Sequence, residues 1–130
     1  GFSAEQLAVW EKIDALFGDD PWWVRDLARE TQQDEQVVRQ LLRFAAQLGL
    51  VTAILKDRYY RNDRIQTFAN LIRELDQTQG ATSAADFRDS LGVGRKLAVQ
   101  ILEYFDRIGF TRRRGNDHLL RDKALFMVEK

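Results

Sequence analysis

Apolar residues recur along this chain at helical spacing in six blocks, and two shorter stretches show the two-residue period of strands. Over residues 3–17, Leu7, Val9, Trp10, Ile13, Leu16 and Phe17 share one side of a helix, and Ser3 is a suitable N-cap. Gly18-Asp19 ends that block. Asp20-Pro21 restarts the chain, with Asp as cap and Pro where its missing N–H costs nothing. This predicts a second helix over 21–30, with Trp23, Val24 and Leu27 turned inward. Asp34 caps a third, which carries Val37, Val38, Leu41, Leu42, Ala45 and Leu48 before Gly49. Residues 50–55, LVTAIL, read as a strand, Lys56-Asp57 as a turn, and 58–61 as the returning strand.

The plan then repeats. Asp63 is expected to cap a helix bearing Ile65, Phe68, Leu71, Ile72 and Leu75, followed by a polar loop through Gly80. A short helix starts near Ser83 with Phe87 and Leu91 inward, and another runs from 94 to 108 before Gly109. Laid at an offset of 60, Val37, Leu41, Leu42, Phe44, Leu48 and Gly49 fall on Leu97, Ile101, Leu102, Tyr104, Ile108 and Gly109. Leu50 falls on Phe110, Asp57 on Asp117 and Arg61 on Arg121, which predicts two wings aligned without a gap. Helix–helix–helix–hairpin, twice, is a mainly α fold with small β-hairpins (α+β): two tandem winged-helix (winged helix-turn-helix) domains. The expected division is residues 1–62 and 63–130, with little linker between them and a hinge at the polar junction.

Charge sharpens the comparison between copies. The whole chain is neutral, with 20 Lys/Arg and 20 Asp/Glu, so only distribution is informative. Residues 94–121 hold 7 Lys/Arg against 3 Asp/Glu, whereas residues 1–33 hold 3 against 7. Where the second unit has Arg95-Lys96 at a helix start, the first has Glu35-Gln36. A basic pair there opposes the helix dipole by a few tenths to about 1 kcal/mol, a local cost that points to a bound anion. The second wing carries Arg112, Arg113 and Arg114; alternation puts Arg113 on one face and its two neighbours on the other. The first wing, LVTAIL, is apolar at both parities and is expected to pack against more than its own core. The first wing thus reads as structural and the second as a nucleic-acid-binding element.

Other chemistry is thin. There is no cysteine, so disulfides, thiolate nucleophiles and cysteine metal sites are excluded. No P-loop or dinucleotide fingerprint is present, and Gly92-Val93-Gly94 is too short to count as one. His118, the single histidine, has no evident metal or nucleophile partners and is read as extending the wing's polar face. Of Trp10, Trp22 and Trp23, two are expected in the core, and Tyr59-Tyr60 could be core or stacking residues. No apolar run reaches a membrane span and no secretory signal is visible, so no membrane partner and a cytoplasmic location are expected. A start at Gly1 suggests a fragment of a longer chain.

The run Leu91-Gly92-Val93-Gly94-Arg95-Lys96-Leu97-Ala98, then Ile101-Leu102-Glu103-Tyr104-Phe105-Asp106 and the 111–121 wing, resembles a known family. It is similar to the C-terminal end of the bacterial selenocysteine-specific elongation factors, the SelB family, over essentially the whole chain. The resemblance implies the last two of four winged helices that follow an elongation-factor-like GTPase portion. It also implies an mRNA-hairpin-binding module, acting on the selenocysteine insertion element (SECIS) and directing selenocysteine incorporation at UGA codons. The hairpin would be held through Gly94, Arg95, Lys96, Arg112, Arg113, Arg114, Asn116 and His118. The chain departs from many relatives at Gly94, where they carry a small hydroxyl residue, and at His118, where they carry arginine.

GTP and selenocysteinyl-tRNA would belong to the absent portion, and the ribosome would be a further partner. The first unit would be a spacer or face the ribosome, and its angle to the second would shift on RNA binding. The fragment itself is expected to be a monomer with no catalytic residues, no metal and no cofactor. Two other readings remain at this stage: a tandem winged-helix DNA-binding regulator, and winged helices that bind protein.

Overall fold

A computed structural model describes residues 1–128. Close packing divides the chain into Gly1–Ile65 and Gln66–Lys130. The first unit comprises α1 (Ala4–Phe17), β1 (Trp22–Trp23), α2 (Val24–Thr31), α3 (Glu35–Gln47), β2 (Val51–Leu55) and β3 (Arg58–Arg61). Helix α4 (Asn62–Gln79) spans the division. The second unit continues with β4 (Thr82–Ser83), α5 (Ala84–Leu91), α6 (Arg95–Arg107), β5 (Thr111–Arg114) and β6 (Asp117–Leu120). Each unit has a three-stranded antiparallel sheet, ordered β1-β3-β2 in one and β4-β6-β5 in the other. This is the winged-helix fold twice, as expected.

Caps start the helices where the sequence indicates. Ser3 accepts from the Gln6 amide at 3.1 Å while Gln6 Oε1 accepts from the Ser3 amide at 2.9 Å, a reciprocal capping box. Asp34 accepts from the Gln36 and Val37 amides at 2.8 and 3.2 Å. The core of the first unit joins Trp10, Ile13, Phe17, Val24, Leu27, Val38, Leu41, Leu42, Ala45, Val51 and Tyr59. In the second, Phe68, Ile72, Phe87, Ala98, Ile101, Leu102, Phe105 and Phe110 are fully buried. Each of the buried Val, Ile, Leu and Phe side chains contributes roughly 1.5–3 kcal/mol relative to exposure. Leu7, Val37 and Leu48, expected inward, lie on helix flanks and stay 43–49 % exposed.

Several boundaries differ from the sequence expectation. The second helix begins at Val24, not Pro21, because Trp22 and Trp23 pair with Tyr59 and Arg58 as a third strand. Backbone pairing at this segment outweighs the local Asp-Pro start signal. A like strand, Thr82–Ser83, precedes α5, and Ser83 then caps that helix through the Asp86 amide at 3.1 Å. Helix α4 runs on to Gln79, through the stretch expected to be a polar loop, since no residue there breaks a helix before Gly80.

The two wings do not align without a gap. In the second, Thr111, Arg112, Arg113 and Arg114 face Leu120, Leu119, His118 and Asp117 in unbroken register. In the first, the register shifts between Ala53 and Leu55, leaving Ile54 as an extra residue. Val51 and Ile54, three apart, are buried while Ala53 is exposed, so the expected burial of both faces by simple alternation does not hold. The offset between copies is 60 as far as β2 and β5, but 59 across β3 and β6. Tyr59 therefore corresponds to His118, not to Leu119.

Beyond β6 the chain turns back over the second unit. Phe126 packs edge-on against Phe105 and Phe110, with ring centroids 5.5 and 5.2 Å apart. From α4, Gln66 donates to the Phe126 carbonyl at 2.8 Å, and Arg73 donates to the carbonyls of Lys123 and Leu125.

Candidate nucleic-acid interface

Helix α6 begins without a side-chain cap. Gly94 occupies the cap position with extended backbone (φ −69°, ψ 160°), and no acid lies in the first turn. The amides that Asp34 satisfies in α3 thus have no side-chain acceptor from the Gly94 position in α6. Arg95 and Lys96 stand exposed beside them. Arg112, Arg113 and Arg114 are exposed too, and among the described residues none of these five cations is ion-paired. Unpaired cations beside a positive helix end make a surface suited to anions.

Between the helix start and the wing lies a recess of about 270 Å³. Arg95 and Glu103 of α6, Arg113, Asn116 and His118 of the wing, and Ser83 contribute to its walls. Arg113 is paired across the strands with His118 and shares its face, which places it at the recess; Arg112 and Arg114 take the other parity. Of the residues singled out from sequence, Arg95, Arg113, Asn116 and His118 therefore come together. Gly94 and Lys96 stand at the adjoining helix end, and Arg112 and Arg114 on the far face of the wing.

The first unit has a recess in the same place, about 300 Å³, walled by Trp23, Val24, Arg25, Glu35, Lys56 and Asp57. Its charges balance, Arg25 and Lys56 against Glu35 and Asp57. Arg39 there bonds Asp57 at 3.1–3.2 Å and Glu35 at 2.9 Å, and also reaches Gln36. Its partner position in α6 is Val99. Trp23, where the second unit has Ser83, lies under the guanidinium of Arg58 at 4.7 Å and near that of Arg25 at 5.7 Å. One copy thus pairs its charges internally, and the other leaves its cations open.

His118 departs from the sequence expectation. It does not extend the exposed polar face of the wing; it is 6 % exposed, and its Nδ1 lies 2.9–3.0 Å from both carboxylate oxygens of Asp106. The Thr111 hydroxyl donates to the same carboxylate at 2.7 Å. Burial of a strand residue facing α6 demanded a polar partner, and Asp106 supplies it. Sequence reasoning missed this cluster. Copy comparison carried the signal, since Ala46 and Val51 stand where Asp106 and Thr111 do, but the one-residue shift hid the match of Tyr59 to His118. Tyr59 and Tyr60 are both buried, and burial raises the pKa of each, Tyr60 to about 12, so neither offers an open ring for stacking.

Among the described residues no group of three or more His, Cys, Asp or Glu side chains could hold a metal ion, and no helix is long and apolar enough to cross a membrane.

Two winged-helix units, the second concentrating unpaired cations around an open recess, define the class: a tandem winged-helix protein whose copies differ in surface charge. Comparison with known proteins gives the family. Residues 2–60 match the family model described as the winged helix domain of the selenocysteine-specific elongation factor. Residues 73–120 match that of the elongation factor SelB winged helix. The chain belongs to the SelB family of bacterial selenocysteine-specific elongation factors. It is 75 % identical over 126 residues to the Escherichia coli (strain K12) factor, an alignment covering 97 % of this chain and 20 % of that protein. With the Haemophilus influenzae factor the identity is 46 %, covering 96 % and 21 %. The chain thus spans about one fifth of the length of these relatives. Among solved structures, it matches the mRNA-binding domain of E. coli SelB in complex with SECIS RNA. That match has a TM-score of 0.87 and 75 % identity, covering 93 % of this chain and 100 % of that one. A bacterial EF-Sec crystal structure shares the fold, with a TM-score of 0.72 at 17 % identity, covering 92 % of this chain and 20 % of that one.

Proposed function

We propose that this chain is the mRNA-hairpin-binding part of a translation elongation factor, and that its second unit grips a selenocysteine insertion stem-loop. The observation that carries the reading is the contrast between copies: the same recess has balanced charge, with Arg39 paired to Glu35 and Asp57, in one unit, and gathers cations without ion pairs in the other. The solved E. coli domain of matching length, in complex with SECIS RNA, supports it independently.

An A-form stem hides its bases in a narrow major groove, so contacts must go to phosphates and to unstacked nucleotides. Arg95, Lys96 and the α6 amides would hold phosphate oxygens. Arg112 and Arg114, on the far side of the wing, would reach the backbone from a second direction. Arg113, Asn116 and His118 would face a nucleotide entering the recess. GTP hydrolysis and carriage of selenocysteinyl-tRNA belong, in this reading, to the rest of the factor, with a ribosome-facing or spacer role for the first unit and a cytoplasmic location. No catalytic step is assigned to these residues. The fragment acts as a monomer.

The test is titration of a bulged RNA hairpin with wild type, Arg95→Ala/Lys96→Ala and Gln36→Ala. The basic-pair variant should lose on the order of tenfold or more in affinity, while Gln36→Ala should change little. With four to six contacts, log affinity should fall against log salt with a slope of roughly −3 to −5, shallower by about one per lost phosphate contact. Equal loss in both variants, or none, overturns the reading. Comparable affinity for random duplex DNA would favour a DNA-binding regulator instead.

A further inference from the structure

The cluster of Asp106, Thr111 and His118 has no counterpart in the scaffold it shares with the first unit. With the wing register taken into account, the corresponding positions there are Ala46, Val51 and Tyr59, an apolar set packed in or against the first unit's core. The fold therefore closes with an alanine, a valine and a tyrosine at these three places. Replacing them by a carboxylate, a hydroxyl and an imidazole buries polar groups that must be satisfied among themselves, and an apolar set is commonly neutral or more stable. Folding alone does not call for them. All three side chains are at least four-fifths buried or nearly so, and the hydrogen bonds among them leave one ring nitrogen, His118 Nε2, outside the Asp106 contact. His118 also lines the recess beside Arg95, Arg113 and Asn116.

We propose that Asp106 and Thr111 are positioning residues that hold His118 as a specificity-determining group, so that its Nε2 reads a hydrogen-bond donor on one unstacked nucleotide in the recess. The Asp106 carboxylate can only accept, so Nδ1 keeps its proton, and Nε2 of the Nδ1–H tautomer is the ring's acceptor. A carboxylate bonded to one ring nitrogen fixes ring orientation in the same way at metal-binding histidines. Thr111 holds one carboxylate oxygen, which limits rotation of Asp106 about its own side chain. The neighbouring Arg95 and Arg113 carry only donors. His118 thus adds a fixed acceptor, beside the oxygens of Ser83, Glu103 and Asn116, that helps the recess distinguish a nucleotide edge from a bare phosphate. The donor it takes is a base N–H or a ribose 2′-OH.

The inference rests on the hairpin-binding reading, and its test separates the two. The probe is a bulged RNA hairpin in which each unpaired nucleotide is replaced in turn by an abasic or a 2′-deoxy residue. For the wild-type chain, one position should lose roughly five- to hundredfold on substitution, the range of a single good base contact. Loss with the abasic residue marks a base edge, and loss with the 2′-deoxy residue marks the ribose. The key variant is Asp106→Ala/Thr111→Val/His118→Tyr, which rebuilds the first unit's apolar set. It should fold with an unchanged or higher Tm, yet bind substituted and unsubstituted hairpins alike. Arg95→Ala/Lys96→Ala should instead weaken every hairpin and keep the ratio between them.

Nitrogen-15 spectra of the wild-type imidazole should show the Nδ1–H tautomer. The proposal is overturned if the triple variant retains discrimination, if it fails to fold, or if the ring is in the Nε2–H form. If Arg95→Ala/Lys96→Ala leaves binding intact, it is the hairpin reading itself that fails.

Discussion

Gly94 sits where two demands on one residue conflict. A Cβ added there meets nothing within 4 Å, and its φ of −69° is open to any residue, so neither space nor backbone requires glycine. An aspartate would cap α6 as Asp34 caps α3, and such caps are worth from a few tenths over glycine to about 1 kcal/mol. It would also set a carboxylate against the phosphate proposed to bind there. Gly94→Asp should therefore raise Tm by a degree or more and weaken hairpin affinity about tenfold, read by thermal melts and titration on one sample. A variant that gains stability and keeps full affinity would remove the phosphate from the α6 start.

The tyrosines make a second residue-scale prediction. Burial raises the pKa of Tyr59, Tyr60 and Tyr104, with Tyr60 pushed up to about 12. Unfolded phenols ionise near pH 10. The stability linked to these groups is thus complete below about pH 10 and is lost as pH rises through about 12. Phenolate absorbance should stay flat through the usual tyrosine range and rise only with unfolding. A normal titration in the native state would show the rings to be open.

At the scale of elements, local chemistry foretold where helices start, but not what competes with a start. Ser3, Asp34 and Ser83 cap as their types suggest, because each bond lies within three residues. Asp20-Pro21 misled, because Trp22 and Trp23 find strand partners 35 or more residues away, at Arg58 and Tyr59. The Ile54 bulge was hidden for the same reason: LVTAIL carries no mark of which residue steps out of register. The candidate site shows the same division. Arg95, Arg113 and Asn116 could be picked out by type and position, whereas Asp106 became visible only once β6 had folded against α6. The strap from 122 to 128 was also unforeseen, its anchor Phe126 reaching Phe105 and Phe110 across the unit. Phe126→Ala should cost about 1–3 kcal/mol, from lost burial and two aromatic contacts. Denaturant melts would show it as a lower midpoint, and a midpoint equal to wild type would show that the strap adds nothing.

Across the whole molecule, balanced charge conceals a strong internal contrast. A pI near 6.8 gives no hint of an RNA partner, and the 7-to-3 excess of cations over 94–121 does. Duplication made that contrast legible, because each residue of the second unit has a control in the first. Glu35, Arg39 and Asp57 settle one another's charge, and their counterparts do not.

The one-residue bulge at Ile54 bears on how such duplicated proteins can be recombined. A chimera that exchanged only the returning strands at matching sequence numbers would set Leu119 where the register calls for His118. Every side chain on the returning strand would then emerge on the wrong side of the sheet. A working exchange needs unequal cuts, five residues of β2 for four of β5, so that the parity of the imported strand survives the graft.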